Sequence, residues 1–133
     1  MGKGMHGGFK NTQGRGPGHT LTDNLPSVTS LFPLAPCGMF GTKGKGARII
    51  KSPAPVGTAY EFFNRISEGY DRIEVIPYKD GKKKGCVAYL KDGTTITMRK
   101  KSNSDGSPAV DIHITSPCRV KSHKIHFVKG EGK

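Results

Sequence analysis

The sequence is short of several residue types that define common protein classes. It has no tryptophan, three cysteines and ten acidic residues among 133. Cys37, Cys86 and Cys118 lie far apart, without the paired spacing of a zinc ribbon or the density of a disulfide scaffold, so a reducing site of action fits best. No apolar run approaches the roughly 20 residues of a membrane span, and the N-terminus lacks the apolar segment of a signal peptide. If the protein leaves its cell, something else must carry it.

Basic residues, in contrast, are abundant. The 22 Lys and Arg give a formal charge of +12. A field of that sign favours polyanionic partners, either nucleic acid or acidic protein. Residues 72–133 hold 14 basic and 6 acidic side chains, whereas residues 1–71 hold 8 and 4. The binding surface is therefore predicted in the second half of the chain.

Composition divides the chain near residue 48. Residues 1–48 are crowded with Gly and Pro, which regular secondary structure disfavours, and we interpret them as a flexible basic lead-in. Residues 49–133 then form one domain with a modest core. Its first element is a helix in "VGTAYEFFNRISEGY", where Thr58 and Glu61 match a capping box and Gly69 provides a stop.

Five short β-rich runs follow the helix. They are residues 72–78, 85–90, 94–100, 108–114 and 123–128. Asp92-Gly93 is the strongest hairpin signal between them, and the turns leave no room for crossover helices. The expected fold class is α+β, with one N-terminal helix packed on a twisted four- to five-stranded antiparallel sheet.

Alternation along the last three runs predicts a second, polar face. Apolar residues such as Ile96, Ile112 and Ile125 point to the core, so their neighbours point outward. The outward set contains Arg99, Asp111, His113, Lys124 and His126. Any one of these is ordinary for a solvated strand, but together they supply a general base, a general acid and charge stabilisation.

This combination suits RNA cleavage without a cofactor. The ribose 2′-hydroxyl is the nucleophile, so the protein needs a base, an acid and cations but no activated water. A DNase is disfavoured because DNA hydrolysis generally recruits a metal, and this chain shows no clustered carboxylates. A zinc site from Cys118, His123 and His126 is a weaker alternative, and nothing marks a cysteine as an activated nucleophile.

The loop "RKKSNSDGSP" at 99–108 is a candidate phosphate contact. Its cations and hydroxyls can surround a phosphate, although the same composition also suits a solvated turn. The predicted RNA- and phosphate-binding residues are Arg99, Lys100, Lys101, Ser102 and Ser104.

The stretch "RKKSNSDGSPAVDIHI", followed by "KSHKIHFVK", resembles the C-terminal RNase toxin modules of bacterial polymorphic toxins. These modules end large contact-dependent inhibition, Rhs-type or LXG-type proteins, and some resemble the ribosome-cleaving colicins. The basic-Ser and Pro-x-x-Asp signature matches Lys101-Ser102, Pro108 and Asp111. The resemblance implies a secreted toxin acting in the target bacterial cytoplasm, a delivery protein joined at the N-terminus and a cognate immunity protein.

Two classes of function remain open at this point. The first is an endoribonuclease that cleaves small-subunit ribosomal RNA at the decoding site and blocks translation, or alternatively cleaves transfer RNA. Its catalytic residues would be Asp111 or His113 as base, His126 as acid and Lys124 as a cation, and the base and acid assignments are interchangeable because both histidines share one predicted face. The second is a non-catalytic RNA- or ribosome-binding module, which is less favoured because the predicted face has few aromatics for base stacking.

Overall fold

Two helices and one mixed β-sheet make up the described part of the chain. The computed structural model describes residues 12–13, 18–44, 46–77, 83–100, 107–115 and 118–130. In chain order the elements are β1 (Thr12–Gln13), α1 (Leu21–Thr29), β2 (Thr42–Lys43), β3 (Arg48–Ser52), α2 (Pro55–Ile66), β4 (Arg72–Pro77), β5 (Lys83–Tyr89), β6 (Thr95–Arg99), β7 (Ala109–His113) and β8 (His123–Lys129). Within these residues the eight strands form a single sheet in the order β1-β4-β5-β6-β7-β8-β3-β2.

The sheet contains the predicted meander and adds three strands to it. β4 to β8 are consecutive neighbours and pair antiparallel. β3, however, pairs with β8 in parallel, and β1 and β2 extend the two edges. The predicted fold of one helix on a four- to five-stranded antiparallel sheet is therefore wrong. Parallel neighbours need a long connection, and residues 53–122 separate β3 from β8, so no local pattern marks this pairing.

α1 forms inside the segment that composition assigns to the lead-in. The Thr20 hydroxyl accepts a hydrogen bond from the Asp23 N–H at 3.2 Å, and the Asp23 carboxylate accepts one from the Thr20 N–H at 2.9 Å. After this capping box, Leu21, Leu25 and Val28 fall on one buried face. The boundary predicted after residue 48 therefore lies within the fold, because α1 and β2 precede it.

α2 is the predicted helix, but it begins at Pro55 rather than near Thr58. Proline suits the first helical position, where its missing N–H has no partner to lose. The Thr58 hydroxyl lies 2.5 Å from the Ser52 hydroxyl, and Glu61 forms an ion pair with Arg65 at 2.9 Å. The predicted Thr58–Glu61 capping box is therefore wrong, since both side chains lie within the helix and have other partners.

The helices pack on one side of the sheet, which we call the core face. Phe62 of α2 is central there, with its ring centroid 5.2 Å from Phe32, 5.1 Å from Phe40 and 5.7 Å from Phe127. The strands contribute buried residues at alternate positions, including Ile96, Met98, Val110, Ile112 and Ile125. Because both helices join this cluster, neither of them covers the opposite side of the central strands, which we call the outer face.

Candidate functional site

The strand register determines which side chains are neighbours on the outer face. Residues paired directly across adjacent strands project to the same face. One row across β6, β7 and β8 consists of Thr97, Asp111 and Lys124, and the next consists of Arg99, Ala109 and His126. His113 follows two residues after Asp111 and pairs with Thr95. The register thus brings the five predicted polar residues of the sequence onto one face.

Asp111 lies at the centre of this group and has no ion-pair partner within the described residues. Lys124 is directly opposite on β8, at a Cβ separation of about 5 Å expected for a cross-strand pair. The Lys124 side chain is exposed and the Asp111 side chain is half-buried. The two charged groups do not form an ion pair, since no nitrogen–oxygen distance between them is 4 Å or less. The Asp111 carboxylate and the Lys124 ammonium are therefore both free of an ion pair with any described residue.

His113 is the accessible histidine of this face. Its side chain is exposed and projects from β7 on the same side as Asp111, about 7 Å along the strand. Thr95 and Thr97 of β6 lie beside these two residues and are half-buried. An acid and an imidazole with flanking hydroxyls therefore lie side by side on the outer face, and the imidazole is the exposed member of the group.

His126 lies on the same face but is covered. It is 6% exposed, and its Nδ1 lies 2.9 Å from the Ser107 hydroxyl. Its partner across the strands is Ala109, so it lies four residues along β8 from the position opposite His113, about 14 Å away. The two histidines are therefore too far apart to act on the two oxygens of one phosphodiester. Only one of them can share the reaction with Asp111.

The predicted phosphate loop is described in part. Arg99 ends β6, is half-buried and makes no ion pair within the described residues, and Lys100 is exposed. Lys101, Ser102 and Ser104 lie outside the described residues. Arg99 stands opposite the small Ala109 side chain and diagonal to Asp111, so its guanidinium can extend toward a phosphate bound at the carboxylate.

His123 belongs to the core face and is held in one tautomer. Its Nε2 accepts a hydrogen bond from the Phe40 N–H at 3.0 Å, so Nδ1 carries the proton and donates to the Lys121 carbonyl at 2.6 Å. The ring also stacks on Phe40, with centroids 6.0 Å apart. Burial lowers the pKa of His123 below its ordinary value of 6.5, and the Arg48 charge acts in the same direction, whereas the Lys121 bond and Asp111 oppose the shift.

The zinc alternative does not assemble in the described part of the chain. His123 and His126 project to opposite faces of β8, and the Cys118 thiol bonds the Val120 backbone. No group of three metal-ligating side chains occurs among the described residues.

A second polar cluster on the outer face has no counterpart in the sequence predictions. At the β4–β5 end, Glu74 forms an ion pair with Arg72 and accepts a hydrogen bond from the Tyr89 hydroxyl at 2.9 Å. The Arg72 guanidinium lies 4.2 Å above the Tyr89 ring. The alternation of Arg72 and Glu74 along β4 was the available signal. Glu74 is fully engaged by these partners, unlike Asp111, so this cluster stabilises the face.

No protein-family model, curated protein or solved structure matches the chain. Neither helix in the described residues has the length and apolar character needed to cross a membrane. Function is therefore inferred from the side chains of the outer face.

Proposed function

We propose that this chain is the toxin domain of an antibacterial protein and acts as a metal-independent endoribonuclease. One observation carries the proposal: on the outer face, which neither helix of the described residues covers, the Asp111 carboxylate makes no ion pair with a described residue and lies between an exposed imidazole at His113 and an exposed cation at Lys124. Other described acids, such as Asp71, also make no ion pair with a described residue, so the placement of Asp111 beside an imidazole and a cation supports the proposal, and the missing ion pair alone does not.

These three side chains can carry out transfer of the RNA phosphoryl group to the adjacent 2′-oxygen. Asp111 accepts the proton of the 2′-hydroxyl as that oxygen attacks phosphorus. Lys124 neutralises the charge that develops on the non-bridging oxygens. His113 donates its proton to the departing 5′-oxygen as the P–O5′ bond breaks. The products are a 2′,3′-cyclic phosphate and a 5′-hydroxyl.

Arg99 and His126 support this centre from the neighbouring row. Arg99 supplies a cation on the β6 side, where it binds a non-bridging oxygen. His126 is a positioning residue, because its imidazole is buried and bonded to Ser107 at the start of β7. This assignment favours His113 over His126 as the acid.

The proposed substrate is small-subunit ribosomal RNA at the decoding site, so the outcome for the target cell is loss of translation. The resemblance to toxin modules motivates this choice, together with the concentration of positive charge in residues 72–133. Delivery by a larger protein places the activity in the target bacterial cytoplasm. A cognate acidic immunity protein would protect the producer by covering the cationic face.

The test is incubation of the purified chain with ribosomes and, separately, with total transfer RNA, in the presence of a chelator. New RNA ends are mapped and their chemistry is determined. The proposal expects one dominant cut in the small-subunit RNA, with a 2′,3′-cyclic phosphate on the 5′ fragment. A dominant cut in transfer RNA would reassign the substrate, binding without any cut would establish a non-catalytic RNA-binding module, and cleavage abolished by the chelator would overturn the mechanism.

A further inference from the structure

A pocket of about 500 Å³ lies beside the candidate site, where β8 begins. Its described lining comes from residues 37 and 39, from residues 43–44 and 46–48 near the β2–β3 connection, and from residues 122–124 at the start of β8. The lining residues that matter here are Cys37, Met39, Lys43, Arg48, Ser122 and Lys124. Lys124 belongs both to this pocket and to the outer-face row that contains Asp111.

The charge of the pocket is entirely positive among its described lining residues. Lys43 and Lys124 are exposed and make no ion pair in the described part of the chain. The Arg48 guanidinium is fixed in the wall by donating from Nε to the Phe40 carbonyl at 3.1 Å and from Nη2 to the Gly41 carbonyl at 2.7 Å. Among the described lining residues, an anion entering here meets two available ammonium groups and no acidic side chain.

The remaining wall is mainly apolar and small. Met39, Ala47 and the glycines at 44 and 46 contribute it, and a Cβ at Gly44 would lie only 2.7 Å from the Ala47 carbonyl. A side chain at Gly44 would therefore clash with Ala47 and Ile49, so this position stays small. An apolar wall with cations at the rim suits a planar base joined to a phosphate better than a bare inorganic anion.

We propose that this pocket binds one nucleotide of single-stranded RNA, the one adjacent to the scissile phosphate. The inference rests on the proposed function for the identity of the substrate. Lys124 links the two subsites, and the Ser122 hydroxyl accepts a hydrogen bond from the Ile114 N–H at 2.8 Å, which ties the pocket rim to the strand end that carries His113. Lys43 contacts the phosphate of the bound nucleotide, and Met39 packs against its base.

Cys37 provides a direct probe of occupancy. Its thiol is exposed at the pocket, whereas Cys86 is buried and Cys118 is half-buried. The four common nucleoside monophosphates and, separately, inorganic phosphate are titrated against the rate at which a small alkylating reagent modifies Cys37, read by mass spectrometry. A nucleoside monophosphate should slow alkylation at least fivefold at saturation, at lower concentration than phosphate.

Matched variants separate the pocket from general charge effects. Lys43→Ala should raise the nucleotide concentration needed for protection about tenfold, as expected for loss of one charge-assisted contact. Lys129→Ala removes the same charge at the far end of β8 and should change the nucleotide concentration needed for protection less than twofold. Equal weakening by both variants, or no protection by any nucleotide at millimolar concentration, would overturn the pocket.

The same measurement distinguishes failure of the pocket from failure of the proposed function. Protection is measured in the Asp111→Asn variant as well, where cleavage should be lost but nucleotide binding retained. Protection by nucleotides without RNA cleavage by the wild-type chain would support the pocket while overturning the ribonuclease. If Lys43→Ala cleaved RNA at the wild-type rate and Cys37 were protected as in the wild type, the pocket would not be a nucleotide-binding site, while the proposed ribonuclease activity would stand.

Discussion

Asn24 is predicted to be a major source of stability, because it joins α1 to the end of α2. The residue is 2% exposed. Its Nδ2 donates to the carbonyls of Ile66 at 2.8 Å and Glu68 at 2.9 Å, and its Oδ1 lies 2.8 Å from the His19 Nδ1. These carbonyls are at the C-terminal end of α2, where no further helical N–H is available to them.

Asn24→Ala removes three hydrogen bonds and leaves buried acceptors without donors. Each bond contributes about 1 kcal/mol net, so the free energy of unfolding should fall by roughly 2–4 kcal/mol. Asn24→Asp, which keeps the shape but loses both donors when ionised, should destabilise at least as much at pH 7. This outcome would separate the hydrogen bonds from a simple cavity effect.

Urea unfolding followed by tyrosine fluorescence and circular dichroism measures the change, since the chain has no tryptophan. With a slope of about 1–3 kcal/mol per molar urea, the midpoint should fall by about 1–2 M. Asn64→Ala is the matched control on the exposed side of α2 and should stay within about 0.5 kcal/mol of the wild type. A change for Asn24→Ala no larger than that of Asn64→Ala would show that the three Asn24 hydrogen bonds do not contribute to stability as proposed.

Three further outcomes are expected. The pKa of His123 is lower in the folded protein than in the unfolded chain, so the unfolded chain takes up a proton first as the pH falls. The free energy of unfolding should therefore decrease below about pH 6.5 and level off below the pKa of the folded state. His123→Phe should flatten that slope in urea titrations between pH 7 and pH 5, and an unchanged slope would contradict the assignment. Ile112→Ala, at a fully buried position, should cost roughly 2–5 kcal/mol by the same unfolding assay, whereas the half-exposed Val56→Ala should cost much less. The immunity protein should be acidic, and stopped-flow measurements should show that its association rate falls steeply as salt is added. A salt-insensitive complex docked away from the outer face would count against that partner.

Local patterns predicted the central strands and the polarity of their two faces. Alternating pairs such as Val110 and Ile112 mark a core face independently of the neighbouring strand, because side chains on a strand alternate with period two. The turn at Asp92-Gly93 then fixed the order of two strands. These patterns depend only on residues close in sequence, so they predict strands correctly even in a chain rich in glycine.

The elements that were missed depend on distant partners or on composition. α1 contains Pro26 and lies between Gly-rich segments, so composition assigned it to the lead-in, and the Thr20–Asp23 capping box emerged only from the structure. The parallel partner of β3 lies far along the chain, where no hairpin signal can report it. The burial of His126 likewise depends on Ser107, a contact that alternation along one strand does not reveal.

The cleavage rates of two variants test whether Asp111 and His113 perform RNA cleavage. Asp111→Asn and His113→Ala should each cut RNA at least about 100-fold more slowly than the wild type, the usual cost of losing a general acid or base. Asp71→Asn, an exposed acid outside the outer-face group, should cleave at the wild-type rate. Urea midpoints close to that of the wild type establish that each variant is folded. If both outer-face variants cleaved RNA at the rate of the wild type, the acid and the imidazole on β7 would be ordinary surface residues with no part in catalysis.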